Sequence, residues 1–264
     1  MTPGPTSSSG RLEARDEAGA RVLRIANESR ANALDPGILS ALASELQGPA
    51  VAGARAVLLT GAGERHFSAG LDLADGTTDE LAARVRDGER LLGEAARAIA
   101  GCRRPVIGVL NGTVMGGALE LAVACDFRIA REGARLAMRA ARLGVVYAPE
   151  GLRRFVAALG PARTRRLFLT GRAVEAEEAL ALGLVDEVVP AGELWPAALR
   201  AAEEIGLAAP LAIEGTRAVV RAITDGGDVA ATAAEWRERA FASRDHREAL
   251  DAFWEQRSPE FRGE

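Results

Sequence analysis

The spacing of apolar and polar residues changes repeatedly along this chain, and each change marks an element. Arg21-Val22-Leu23-Arg24-Ile25-Ala26 alternates in part, which predicts an early strand. Asp35-Pro36 opens a helix that runs to about Gln47, with Asp as the N-cap and Pro at the first helical position. Ala56-Val57-Leu58-Leu59-Thr60 predicts a short buried strand. Between Asp79 and Ile99 the apolar marks Leu81, Val85, Leu91, Leu92 and Ile99 fit a long helix. Residues 106–110 and 127–130 read as further strands, and residues 185–189 as a late one. Strands separated by helices imply crossover connections and an α/β class. From Leu194 onward the pattern is helical, through residues 197–207, 229–247 and 248–257, punctuated by Pro210 and Gly226-Gly227. Residues 1–10 are rich in Pro, Ser, Gly and Thr and read as a flexible tail. The expected organisation is therefore that tail, a core over residues 11–193, and a helical region over residues 194–264.

Length and composition narrow the class. A chain of 264 residues can bury a substantial core as one domain or as one domain plus an appendage. Hydrophobic residues make up 48% and charged residues 27%, an ordinary soluble balance. A formal net charge of −4 disfavours nonspecific nucleic-acid binding, so no nucleic-acid partner is expected. No apolar stretch approaches the roughly 20 residues needed to span a bilayer, so no membrane span is expected. The first residues lack the apolar segment of a signal peptide. With only Cys102 and Cys125, a reduced cytoplasmic setting is the expectation.

All 33 basic residues are arginine. Without lysine there is no Schiff-base chemistry and no phosphate-binding Gly-Lys-Ser/Thr loop. The two histidines, His66 and His246, and the two isolated cysteines form no metal-ligand pattern, and no metal or separate cofactor is expected. His66 has no Ser or Cys partner at a motif and reads as a loop residue; Cys102 and Cys125 read as packed thiols.

Two glycine segments carry the chemistry. Each follows an apolar run: His66-Phe67-Ser68-Ala69-Gly70-Leu71-Asp72-Leu73 after residues 56–60, and Asn111-Gly112-Thr113-Val114-Met115-Gly116-Gly117-Ala118-Leu119-Glu120 after residues 105–110. Gly70 and Gly116 let the backbone turn sharply and let another molecule approach the N–H groups. Two such turns meeting at one point would form an oxyanion hole, which stabilises negative charge on a carbonyl oxygen. The helix beginning near Gly116 adds unpaired first-turn N–H groups and the positive end of its dipole. Glu120 lies three residues after Gly117, on the same helical face. A carboxylate there stands near the same carbonyl, placed to move a proton. Its neighbours Ala118-Leu119 and Leu121-Ala122-Val123-Ala124 are apolar, so it is not an ordinary solvated glutamate.

These segments resemble the crotonase family, the enoyl-CoA hydratase/isomerase superfamily. The resemblance covers about residues 20–190 and includes Arg30-Ala31-Asn32-Ala33-Leu34, the run from Gly61 through Leu73, the run from Pro105 through Asp126, and Leu169-Thr170-Gly171-Arg172 with residues 179–186 after it. It implies ββα units coiled into a spiral with a helical C-terminal region that helps form homotrimers and hexamers. It implies an acyl-CoA thioester substrate, with coenzyme A as part of that substrate. It carries the oxyanion donors onto the Leu71 and Gly117 N–H groups, and the first catalytic glutamate of hydratases onto Glu120. It carries coenzyme A contacts onto the backbone around Ala31 and Ala33, onto Ala69, and onto Arg30 as a partner for phosphate.

The chain departs from the family at the second glutamate. Aligned on Leu143-Gly144, that position is Ala140, which has no proton to give. Glu150 is a candidate substitute, and Tyr147, the only tyrosine, is a candidate to place its hydroxyl in the same pocket. Asp72 reads as a turn-fixing residue and Asp126 as structural. The leading expectation is an enoyl-CoA hydratase. Double-bond isomerisation, which needs one carboxylate, is the alternative, and a non-catalytic acyl-CoA-binding subunit is the rival of another class.

Overall fold

The partial alternation of residues 21–26 belongs to a strand with one neighbour on each side. In a computed structural model describing residues 10–73 and 77–264, with the side chains of residues 78–83 left aside, β1 (Arg11–Glu17) pairs antiparallel with β2 (Ala20–Ala26). The tail expected over residues 1–10, save Gly10, and the apolar mark Leu81 lie outside what is described. Asp35 caps α1 (Pro36–Gln47), its side chain accepting from the Ile38 N–H at 2.8 Å. The short α2 (Pro49–Ala52) leads into β3 (Val57–Gly61).

From there the chain repeats one unit. β3 and β4 (His66–Ser68) precede α3 (Thr78–Gly101); β5 (Val106–Leu110) and β6 (Thr113–Met115) precede α4 (Gly117–Ala124); β7 (Phe127–Arg131) and β8 (Arg135–Ala137) precede α5 (Pro149–Thr170). The first strand of each unit joins one sheet, ordered β1-β2-β3-β5-β7-β10. The second joins a smaller sheet, ordered β4-β6-β8-β9. β9 (Val174–Glu175), α6 (Ala176–Leu182) and β10 (Glu187–Val189) close the two sheets. This is the ββα spiral of the crotonase fold. The short strands β4, β6, β8 and β9 lack sufficient length for an alternating pattern and were not foreseen. The helix α5 contains a break at Gly160 (φ 74°, ψ 164°), followed by Pro161.

The main core lies between the large sheet and α1, α3, α4 and α5, with Leu39, Leu59, Phe67, Ile99, Leu119 and Phe155 among its buried residues. On the other face of that sheet α7 (Leu194–Gly206) packs Leu194, Ala197, Ala198 and Ala202 against Val22, Leu58, Ile107 and Ile129. Just past residue 194, α7 therefore covers the second face of the large sheet. Next comes α8 (Pro210–Asp225), which pairs with α9 (Val229–Ala242) and is tied to the core by Arg217, donating to Asp126 and to the Cys102 carbonyl. Ser243 ends α9 and caps α10 (Arg244–Glu255), accepting from the His246 N–H at 3.0 Å. The single helical run expected over residues 229–247 is thus split there.

Candidate active site

Adjacent parallel strands explain why the two glycine turns meet. β4 and β6 are neighbours in the small sheet, with Ser68 opposite Val114, so the turns leave the same end of that sheet side by side. Gly70 sits at φ 92°, a conformation other residues rarely adopt. A Cβ on Gly70 would lie 2.7 Å from the Met115 carbonyl oxygen and 3.3 Å from the Gly117 nitrogen. A Cβ on Gly117 would lie 3.5 Å from Leu71 Cγ. Gly116 precedes α4 and donates to the Ala137 carbonyl at 2.9 Å, which fixes the turn to β8.

Hydrogen bonding decides which way the Leu71 N–H points. Leu34 forms a parallel bridge with Leu71 by donating to the Gly70 carbonyl at 2.8 Å and accepting from the Asp72 N–H at 3.0 Å. In such a bridge the central residue's own N–H faces the other side. Neither the Leu71 nor the Gly117 N–H has a hydrogen-bond acceptor among the described residues. Gly117 is the first residue of α4, where an N–H has no intrahelical partner. Ala69 donates to the Ala31 carbonyl at 2.9 Å, so residues 31–34 run alongside the first turn.

Glu120 is 3% exposed in a helix buried from Gly117 to Val123. Its Oε2 accepts from the Tyr147 hydroxyl at 2.6 Å, and its Oε1 accepts from Arg154 Nη1 at 2.8 Å. Burial pushes its carboxyl above the ordinary range, opposed by the hydrogen bond from Tyr147 and the charge of Arg154. Burial, and next the Glu120 charge, push Tyr147 well above its usual value, which keeps its hydroxyl protonated and donating. The Tyr147 ring stands edge-on to Phe168 at 5.3 Å and to Phe155 at 6.5 Å.

The other candidates fall in different places. Glu150, in the first turn of α5, is bonded to Arg97 at 2.6 Å with its side chain 54% exposed. It faces a hollow of about 720 Å³ between α3, α5 and α8, whose lining includes Arg153, Arg154 and Arg217 but not Leu71, Gly117 or Glu120. Arg30 pairs with both oxygens of Asp72, at 3.0 and 2.8 Å, so Asp72 anchors an arginine here. Ala31 and Ala33 donate their N–H groups to the carbonyls of Glu28 and Arg30, and their own carbonyls accept from the Ala69 N–H and from Asn27 Nδ2, so the backbone of this segment is held within the protein. Asp126 is structural, accepting from the Val106 N–H and from Arg217, both at 2.7 Å. Both cysteines are buried, and burial pushes Cys125 up to about 12.

Three site residues escaped the sequence reading. Arg154 and Gly151 share a face of α5, three residues apart, and that spacing was the available signal. A Cβ on Gly151 would lie 2.5 Å from Tyr147 Cε1 and 2.9 Å from Glu120 Oε2, so glycine makes room for their contact. Asn111, buried after β5, donates to the Gly61 and Gly63 carbonyls at 3.0 and 2.8 Å and ties the loop ahead of β4. No short-range pattern marks it.

The family profile described as enoyl-CoA hydratase/isomerase matches residues 15–264. The chain is 29% identical over 247 residues to 2,3-dehydroadipyl-CoA hydratase of Escherichia coli (strain K12), covering 92% of this chain and 94% of the relative. It is 35% identical over 217 residues to carnitinyl-CoA dehydratase of Proteus mirabilis (strain HI4320), covering 79% and 82%. The crystal structure of an enoyl-CoA hydratase from Bacillus anthracis superimposes with a TM-score of 0.85 at 32% identity, covering 96% of this chain and all of that one. Spiral, paired glycine turns and a profile match over nearly the whole chain agree: this protein belongs to the enoyl-CoA hydratase/isomerase family.

Proposed function

We propose that this protein is an acyl-CoA-processing enzyme that adds water to an enoyl-CoA. The observation that carries this reading is the buried carboxylate of Glu120 one helical turn beyond the unbonded Gly117 N–H, with the unbonded Leu71 N–H beside it. The thioester oxygen would sit between those two donors. Glu120 would take a proton from water as the oxygen of that water bonds to the β carbon. The electron pair of the double bond moves onto the carbonyl oxygen, held by the two N–H groups as an enolate. Return of a proton to the α carbon completes a 3-hydroxyacyl-CoA. The names of the relatives, hydratases and dehydratases of CoA thioesters, support the same class. Coenzyme A would enter only as part of the substrate, along residues 31–34 and Ala69, with the Arg30–Asp72 pair at that edge and Arg30 the candidate partner for a phosphate oxygen.

The alternative is isomerisation of a 3-enoyl-CoA, in which one carboxylate lifts a proton from one carbon and returns it to another. Ala140 favours it, since the position of a second carboxylate is empty of any acid. Incubation with crotonyl-CoA and with 3-hexenoyl-CoA, each followed by product analysis, separates the readings. Hydration predicts 3-hydroxybutyryl-CoA from the first. Conversion of the second to 2-hexenoyl-CoA with no hydration of either assigns the isomerase. Tight binding of both without turnover assigns a binding subunit.

We further propose a homotrimer or hexamer. Helices α8 to α10 expose Val220, Ile223, Phe241, Leu250, Phe253 and Trp254, apolar side chains that an interface between copies would cover. Light scattering at micromolar concentration is expected to give three or six chains; a monomer would count decisively against it.

A further inference from the structure

Both oxygens of Glu120 are held by donors from one short stretch. Tyr147 reaches Oε2 from the loop before α5, and Arg154 reaches Oε1 from its second turn. Gly151 lies between them and leaves the space in which the contact forms. The Tyr147 ring is wedged against Phe155 and Phe168, whose own rings meet edge-on at 5.0 Å. Arg154 is itself mostly buried, with 17% of its side chain exposed. An ionised carboxylate offers about four lone-pair positions, so two remain for water or substrate after both donors are in place. Their direction is set by the donors, since the carboxylate plane can no longer turn.

We propose that Tyr147 and Arg154 are positioning residues that hold Glu120 as an oriented carboxylate base, and that this pair sets the pH range over which a site with alanine at residue 140 moves protons. The inference rests on the reading of Glu120 as the proton-moving group. Burial works against the anion, and the Tyr147 hydroxyl and the Arg154 charge work for it. Glu150, on α5, adds repulsion toward Glu120 and is itself paired with Arg97 of α3. Glu89 of α3 bears on Tyr147. Arg154 is thus the one cation bonded to Glu120, and Tyr147 the one neutral donor, among the described residues.

The sign of the effect follows. Removing a donor that favours the anion raises the pH at which Glu120 ionises, so the acid limb of activity moves upward. The experiment measures kcat/KM between pH 5 and 9, on whichever of crotonyl-CoA and 3-hexenoyl-CoA the wild type converts, for wild type, Tyr147→Phe, Arg154→Gln, Arg154→Lys and Glu120→Gln. Binding of butyryl-CoA is measured alongside. Arg154→Gln is expected to move the limb up by about one pH unit or more, a tenfold loss below the limb that recovers at high pH. Tyr147→Phe should move it the same way by less, and Arg154→Lys should return it toward wild type. Butyryl-CoA affinity should stay near wild type throughout. The carboxyl 13C shift of Glu120, assigned by its loss in Glu120→Gln, reads the same displacement without turnover. A limb and a 13C titration that stay in place in both Tyr147→Phe and Arg154→Gln overturn the clamp, as does a loss equal at every pH. If Glu120→Gln itself keeps full turnover, the proton-moving reading fails instead, and the two failures are told apart.

Discussion

Replacing Glu120 with glutamine is expected to lower turnover by about 10²- to 10⁴-fold, the usual contribution of a general acid–base group. Binding of butyryl-CoA should change little. Glutamine keeps the volume of a side chain that is 3% exposed, so the packing of α4 against α5 is preserved. Its amide oxygen can accept from Arg154, and its amide nitrogen can donate to the Tyr147 oxygen. What it loses is basicity. Glu150→Gln is the companion, and it is expected to retain turnover close to wild type. Its carboxylate is half exposed and paired with Arg97, and an exposed pair of that kind contributes about 0–1 kcal/mol. The opposite pattern, full turnover in Glu120→Gln and loss in Glu150→Gln, would place the base on the first turn of α5 and favour isomerisation. No effect from either change would defeat a single-carboxylate mechanism.

Gly70→Ala is expected to reduce kcat by about 10²- to 10³-fold, comparable with losing one oxyanion donor. The reason is local. At φ 92° an alanine is strained, and its Cβ would stand 2.7 Å from the Met115 carbonyl oxygen, a backbone atom that cannot swing aside. The turn carrying Leu71 must move away from the turn carrying Gly117. Donors to an oxyanion work at about 2.7–3.1 Å, so a small separation removes one of them. Displacements of about 1 Å at a reacting centre are enough for losses of about 10²-fold. The measurement is kcat for the folded variant together with its affinity for butyryl-CoA. Turnover within a few fold of wild type in a protein of unchanged secondary structure would show that these two turns do not cooperate in the chemistry.

Much of this architecture was legible before any coordinates. The helix α1 announces itself through Asp35-Pro36, because an N-cap and a proline at the first position act on the backbone immediately around them. The strands at residues 57–61 and 106–110 are buried along their whole length, and largely apolar, because helices or strands cover both of their faces. The glycine turns and the lone glutamate of α4 were equally visible, since each is a departure from its neighbours in the chain. The strands of the small sheet were not, because two or three residues carry no period to read. Nor was the place of α7 legible, because an alanine-rich helix looks the same whether it covers a sheet or extends from it.

The sequence by itself determined the elements that local chemistry dictates, the two turns with unbonded donors in prospect, and the presence of a carboxylate one helical turn beyond the second. Those are effects within a few residues of one another. Tertiary structure alone decided what meets what. It set β4 beside β6, so that turns distant in the chain touch through Gly70. It brought Tyr147 and Arg154 onto the two oxygens of Glu120, and it drew Glu150 to Arg97 and Arg30 to Asp72. The physical reason is that a charged side chain pairs with whatever the packing brings within about 4 Å, and that distance is set by the fold across the chain, not by spacing along it.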